Sequence, residues 1–245
     1  MLDTNGTLLA EEVRLENDLE VENARDVEIE GIISQFSSPT NFVLGTTPII
    51  TDEATISKGI APEDIFIGLR LLIKGSLTEG RLLADEVIAK DKVNLEGTVE
   101  SVNFAFKEIS LIGFNPLAIH VNDATRIFGN AVDLNEVGQG QHVKILGYVA
   151  GENKIEAARV KVEKKASNKV KLQGPVTLIN RPVIFVLGAD VDTGTIPENG
   201  FESMEEGPVS RDDFFNLVSK GDTVGANGFL LGNEVEWKEI ELLQE

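Results

Sequence analysis

The chain has no cysteine among its 245 residues. Disulfides, thiolate metal sites and cysteine nucleophiles are therefore excluded, while reducing and oxidising compartments both stay open. Histidine is nearly as scarce, with only His120 and His142 present. Neither sits in an H-x-E or H-x3-H zinc spacing, and no G-x-S-x-G turn exists to place a serine nucleophile beside them. Basic residues are few, 22 against 41 acidic ones, for a net charge of −19. That charge repels phosphate backbones and anionic lipid over a Debye length of about 8 Å at physiological salt. The densest basic stripe holds Lys161, Lys164, Lys165, Lys169 and Lys171 and reads as a solvated linker. No run approaches the roughly 18 uninterrupted apolar residues of a membrane helix. No Walker or dinucleotide glycine pattern occurs. These absences lead to a reading without catalytic residues, cofactor, nucleic-acid partner or membrane span.

What is present is a repeated pattern. The chain is 42% hydrophobic and 26% charged, as a globular protein is. Two glycines seven residues apart are followed by Ala or Trp and then, three residues on, by Val or Ile. The sets are Gly68, Gly75, Ala84, Val87; Gly140, Gly147, Ala157, Val160; and Gly221, Gly228, Trp237, Ile240. A remnant, Gly6, Ala10, Val13, opens the chain. Within each closing strand the apolar phase slips by one residue, as at Ile155, Ala157 and then Val160, Val162. A slip of one residue turns side chains to the other face unless a β-bulge absorbs it. The slip therefore predicts a built-in bend of the kind a small barrel needs to close. Each unit opens on a matching strand whose Gly31, Gly97 or Gly174 falls on the apolar phase, as at a barrel corner. Short helical or turn segments are expected at Pro62–Asp64, Val132–Val137 and Ser210–Gly221. In the last, Ser210 is the cap and Asp212 and Asp213 occupy the first turn.

The fold class that follows is all-β: tandem small OB-like five-stranded barrels, each with a short helix or turn between strands 3 and 4. The expected boundaries are 1–17 for a hairpin remnant of a preceding repeat, then 18–91, 92–166 and 167–245 for three barrels. A core of that size yields only about 3–5 kcal/mol, so contacts between neighbours are expected to add stability. The short links predict a semi-rigid rod.

The strands VEIEGIISQF, VNLEGTVESV and VKLQGPVTLI, with the closing pairs GLRLLIKGSLTEGRLLADEVIA and GQHVKILGYVAGENKIEAARVKV, resemble the bacterial domain of unknown function DUF5666. The resemblance covers nearly the whole chain and is strongest in the middle unit. The third unit departs from it through Trp237 and an acidic insertion at 190–213. It implies small OB-type barrels in tandem and export to the periplasm or cell surface, and it carries over no catalytic residues. The chain is then expected to be a fragment of a longer protein lacking its signal segment.

The candidate site residues are few. Asp190 and Asp192, two apart and followed by Gly194, resemble the start of a calcium loop, but the rest of such a loop is missing. An acidic turn is the competing reading. Trp237, on an inward phase, reads either as a plug for the last barrel or as a sugar-stacking residue. Phe104, Phe106, Phe114 and Phe128 read as core plugs or as stacking platforms. The leading functional expectation is a non-catalytic structural or interaction array, with a protein or cell-envelope component as partner. The alternative is a glycan- or calcium-binding array using loops at the barrel mouths and the acidic insertion. The remnant is expected to pair with a neighbouring module or with another chain as a homo-oligomer.

Overall fold

Alternating apolar and polar residues, broken by turn signals every few residues, leave this chain little choice but to form strands. The computed structural model describes residues 23–52, 65–90, 92–203 and 207–244. The remnant at 1–17, the segment Pro62–Asp64 and the acids Glu205 and Glu206 lie outside the described residues. The fold is predominantly β.

The first five strands are β1 (Asn23–Ser38), β2 (Asn41–Leu44), β3 (Thr47–Ile50), β4 (Arg70–Thr78) and β5 (Arg81–Lys90). They form a closed barrel in the order β1-β2-β3-β5-β4. The next five are β6 (Lys92–Asn103), β7 (Glu108–Leu111), β8 (Ala118–Gly129), β9 (His142–Gly151) and β10 (Lys154–Val162). Their pairings run β6–β7–β8–β10–β9 and return to β6, a ring in the same order. A 3-10 turn at Leu134–Glu136, capped by Asp133, separates β8 from β9. The remaining elements are β11 (Lys169–Asn180), β12 (Val183–Val186), β13 (Ala189–Asp192), β14 (Phe201–Ser203), β15 (Gly207–Pro208), α1 (Arg211–Leu217), β16 (Thr223–Leu231) and β17 (Glu234–Gln244). Here the order is β13-β12-β11-β16-β17-β14-β15, with its end strands β13 and β15 not paired to each other among the described residues. The described residues of the acidic insertion include two short strands, β14 and β15, and two 3-10 turns at Thr193–Thr195 and Glu198–Gly200. Ser210 caps α1 by accepting from the Asp213 amide at 3.1 Å.

The phase slip is a bulge in all three closing strands. The register shifts at Asp85 in β5, Ala158 in β10 and Lys238 in β17. Each bulge pushes a carbonyl, that of Leu83, Glu156 or Glu236, against the strand opposite. Gly75, Gly147 and Gly228 stand there, and a Cβ on any of them would lie closer than 3.0 Å to that carbonyl oxygen. The first glycine of each pair does different work. Gly68, Gly140 and Gly221 have φ of +93°, +82° and +102°, and their amides donate to the carbonyls of Ile33, Val99 and Val176 at 3.0, 2.9 and 2.9 Å. The glycines of the opening strands make room for Leu44, Leu111 and Leu187.

Side chains on the inward phase form two buried clusters rather than one per segment. One runs from Ile33 to Val87, and the other is continuous from Val93 to Leu242. The second is continuous because β6 pairs antiparallel with β11: Asn94 faces Gln173, Leu95 faces Leu172 and Glu96 faces Lys171. Leu95 and Leu172 are both fully buried, and such a side chain contributes about 1.5–3 kcal/mol by leaving water. Close fits reinforce the joint. Gly113 lies against Val235, and Gly188 lies against the Asn153 side chain. Between the first and second rings the contact is aromatic: the Tyr148 ring rests on Gly68 and lies 6.5 Å from Phe66.

Candidate functional site

Parallel pairing of β8 with β10 sets polar residues side by side on the outer face of the second ring. Glu108 faces His120, His120 faces Glu156, Glu156 faces Tyr148 and Tyr148 faces Lys92. This row of half-buried side chains crosses five strands. At its centre the Glu156 carboxylate meets His120 Nδ1 at 2.7 and 2.9 Å and accepts from Asn122 Nδ2 at 2.9 Å. Asn122 is held by a short loop inside β8 that sits over the β10 bulge. Its amide donates to Thr125 Oγ1, and that hydroxyl donates to the Ala157 carbonyl at 2.6 Å. Burial pushes the Tyr148 phenol above its ordinary value, and the Glu156 charge adds to the effect.

Beside this row lies an open cleft of about 490 Å³, lined by Phe106, Lys107, His120, Asn122, Asp123 and Lys154 among others. Lys107 and Asp123 pair across it at 2.8 Å, which holds the Asp123 carboxyl below its usual range. Its lip is the turn between β6 and β7, where Asn103 Oδ1 accepts from the amides of Ala105 and Phe106. That turn leaves Phe104 55% and Phe106 67% exposed. An exposed ring next to interleaved donors and acceptors suits a polyhydroxylated ligand, whose CH faces stack and whose hydroxyls both give and accept.

The other candidates separate. Phe114 is buried, and Phe128 is half-buried with the Arg126 guanidinium 5.4 Å from its ring centre. Trp237 is 2% exposed and lies in the shared core opposite Gly228, so its indole offers no free face. Asp190 and Asp192 alternate on the exposed face of β13. Asp192 Oδ1 accepts from the Gly194 amide at 2.8 Å, the turn-capping role. Among the described residues no group of three or more His, Cys, Asp or Glu side chains is placed to hold a metal. His142 is buried, with Nε2 2.9 Å from Glu96 Oε1 and Nδ1 without a partner. Among the described residues no helix is long and apolar enough to cross a membrane.

Sequence reasoning did not bring His120 and Glu156 together. They are 36 residues apart, and the signal that joins them is the shared polar phase of two strands that run parallel in this plan. Among curated proteins nothing matches the chain. The model of a domain of unknown function, DUF5666, matches residues 30–88 and 96–161, which is the part holding the first two rings. The chain belongs to the DUF5666 family.

Proposed function

We propose that the chain is a non-catalytic interaction array from an exported bacterial protein, built of OB-like barrels copied in tandem and held at fixed spacing. The boundaries 18–91, 92–166 and 167–245 are those of the copies. Three observations support the copying: the recurring pairing order, the bulge opposite glycine and the left-handed glycine at the entry to the fourth strand. The observation that carries the function is the β6–β11 pairing inside one continuous core. A joint made of backbone hydrogen bonds and buried leucines transmits position, so what binds one barrel is held at a set distance from what binds the next. The absence of native cysteine makes the test clean. Single spin labels on cysteines placed at exposed Glu100 and Glu234 should give one narrow distance distribution by pulsed electron resonance. A broad distribution would mean swinging domains and would remove the reading.

A second reading rests on the cleft beside His120. Exposed Phe106 over the Lys107, Asn122 and Asp123 side chains fits a glycan. Titration with an oligosaccharide panel should shift the amides of residues 105–108 and 120–123, and Phe106→Ala should weaken binding about tenfold, the effect of losing one stacking contact. Shifts spread over the whole chain, or affinity indifferent to Phe106, would remove it.

A further inference from the structure

The edge that joins the second and third barrels also exists on the first. Counted from Gly31, Gly97 and Gly174, the residues Glu28-Ile29-Glu30 of β1 correspond to Asn94-Leu95-Glu96 of β6 and Lys171-Leu172-Gln173 of β11. In the joint the two strands meet through these same positions, centred on Leu95 and Leu172. Along residues 27–31, β1 pairs only with β4, and no other described strand covers its second edge there. An open edge pairs with any strand that its side chains accept.

The side chains say which strand that is. In the joint, Glu96 lines a groove of about 370 Å³ together with Lys169, Lys171 and Lys238. The corresponding groove of the first barrel, about 540 Å³, is lined by Asp26, Glu28 and Asp85 at those three positions, with Glu86 and Lys74 beside them. The sign is inverted at each of the three. Lys74 is taken by Glu86 at 3.3 Å, and Glu30 by Arg70. A second copy of the same edge would set Glu30 against Glu28 twice, and like charges directly opposite are destabilising. The chain's own leading segment, residues 1–22, carries seven acidic residues and one basic residue, which also fits badly.

We infer that the β1 edge of the first barrel is a docking site for a cationic β-strand of a partner protein. That strand adds antiparallel to Glu28–Glu30 and places a Lys or Arg in the groove of Asp26, Glu28 and Asp85. Main-chain hydrogen bonds supply the attachment, and the groove supplies the selection. The inference rests on reading the chain as an interaction array and names one of its partners.

The probe is a nine-residue peptide with the sequence of 168–176 carrying Gln173→Lys. Its control carries Glu at both 171 and 173. Titrated into the full chain, the lysine peptide should bind saturably and shift the amides of Glu28, Ile29 and Glu30, and the control should bind at least about tenfold more weakly. Asp85→Lys and the milder Glu28→Gln, each checked for native melting, should both weaken the lysine peptide. Equal binding of the two peptides, no binding of the lysine peptide, or indifference to both substitutions would overturn the inference. So would an affinity that rises on removal of residues 1–22, which would make the chain's own segment the occupant, or a wild-type dimer formed through the same amides. A narrow distance distribution between the second and third barrels combined with peptide failure would sink this inference alone.

Discussion

A glycine that faces a carbonyl is a residue whose replacement is easy to price. Gly147 lies under the Glu156 oxygen that the Ala158 bulge pushes forward. A methyl group there must displace backbone, and overpacking of this kind costs about 1–3 kcal/mol. Gly147→Ala should therefore lower stability by that amount in urea denaturation. Gly151→Ala, where a Cβ meets nothing within 4 Å, should change it by less than about 0.5 kcal/mol. Equal effects would mean the bulge is not what selects glycine. Glu241 is a second residue with a clear sign. Burial raises its carboxyl above the ordinary 4.5, and Glu202, beside it across the β14–β17 pair, adds to the rise. The folded chain thus holds this proton more tightly than the unfolded chain does. Stability from this group is complete below pH 4.5 and is lost as pH rises through the elevated value. Glu241→Gln should raise the melting temperature at pH 7 and leave it unchanged near pH 3.5; the reverse order would refute the assignment.

At the scale of the element, the slip in hydrophobic phase was legible because it falls between inward residues, Ala157 and Val160, that leave no doubt about the face. The opening strands carry a comparable register shift, at Ser34, Glu100 and Thr177. It left no trace in the pattern: Glu100-Ser101 is polar on both phases, and Thr177-Leu178-Ile179 is nearly apolar on both. The fold thus announced its bends only where one face was buried and the other wet. The cleft beside His120 was hidden for another reason, since it depends on a parallel pairing between strands joined by a long connection, and on a loop, Asn122–Thr125, inserted in β8. Deleting Ala158 tests the bulge as an element. The deletion leaves the inward residues of β10 inward and its pairs with β9 around the bulge in register, and it removes the bend together with the seat of the Asn122–Thr125 loop. If closure of the ring requires that bend, the variant should lose about 1–3 kcal/mol and some near-ultraviolet dichroism. A neutral or stabilising deletion would make the bulge an ornament of the sequence.

For the whole molecule, two cores imply two cooperative units. The first barrel buries its own cluster, whereas the second ring and the open third sheet share theirs through β6 and β11. Strand pairing plus a continuous core couples the latter two, and the first is attached through the Tyr148 ring on Gly68 and the Phe66 ring. The chain supplies one probe for each event, because Tyr148 is its only tyrosine and Trp237 its only tryptophan. In the native protein Tyr148 should ionise above 10, since burial disfavours the phenolate and Glu156 repels it. The stability this phenol contributes is present below pH 10 and is lost as pH rises through its elevated value. Rising denaturant should open the first barrel and bring the Tyr148 titration back towards 10 while Trp237 still emits from a buried site. Trp237 should shift to the red only in a second transition, when the shared core goes. A single transition in which both probes move together would mean that the aromatic contact couples the barrels as strongly as paired strands do, and the two-unit description would fall.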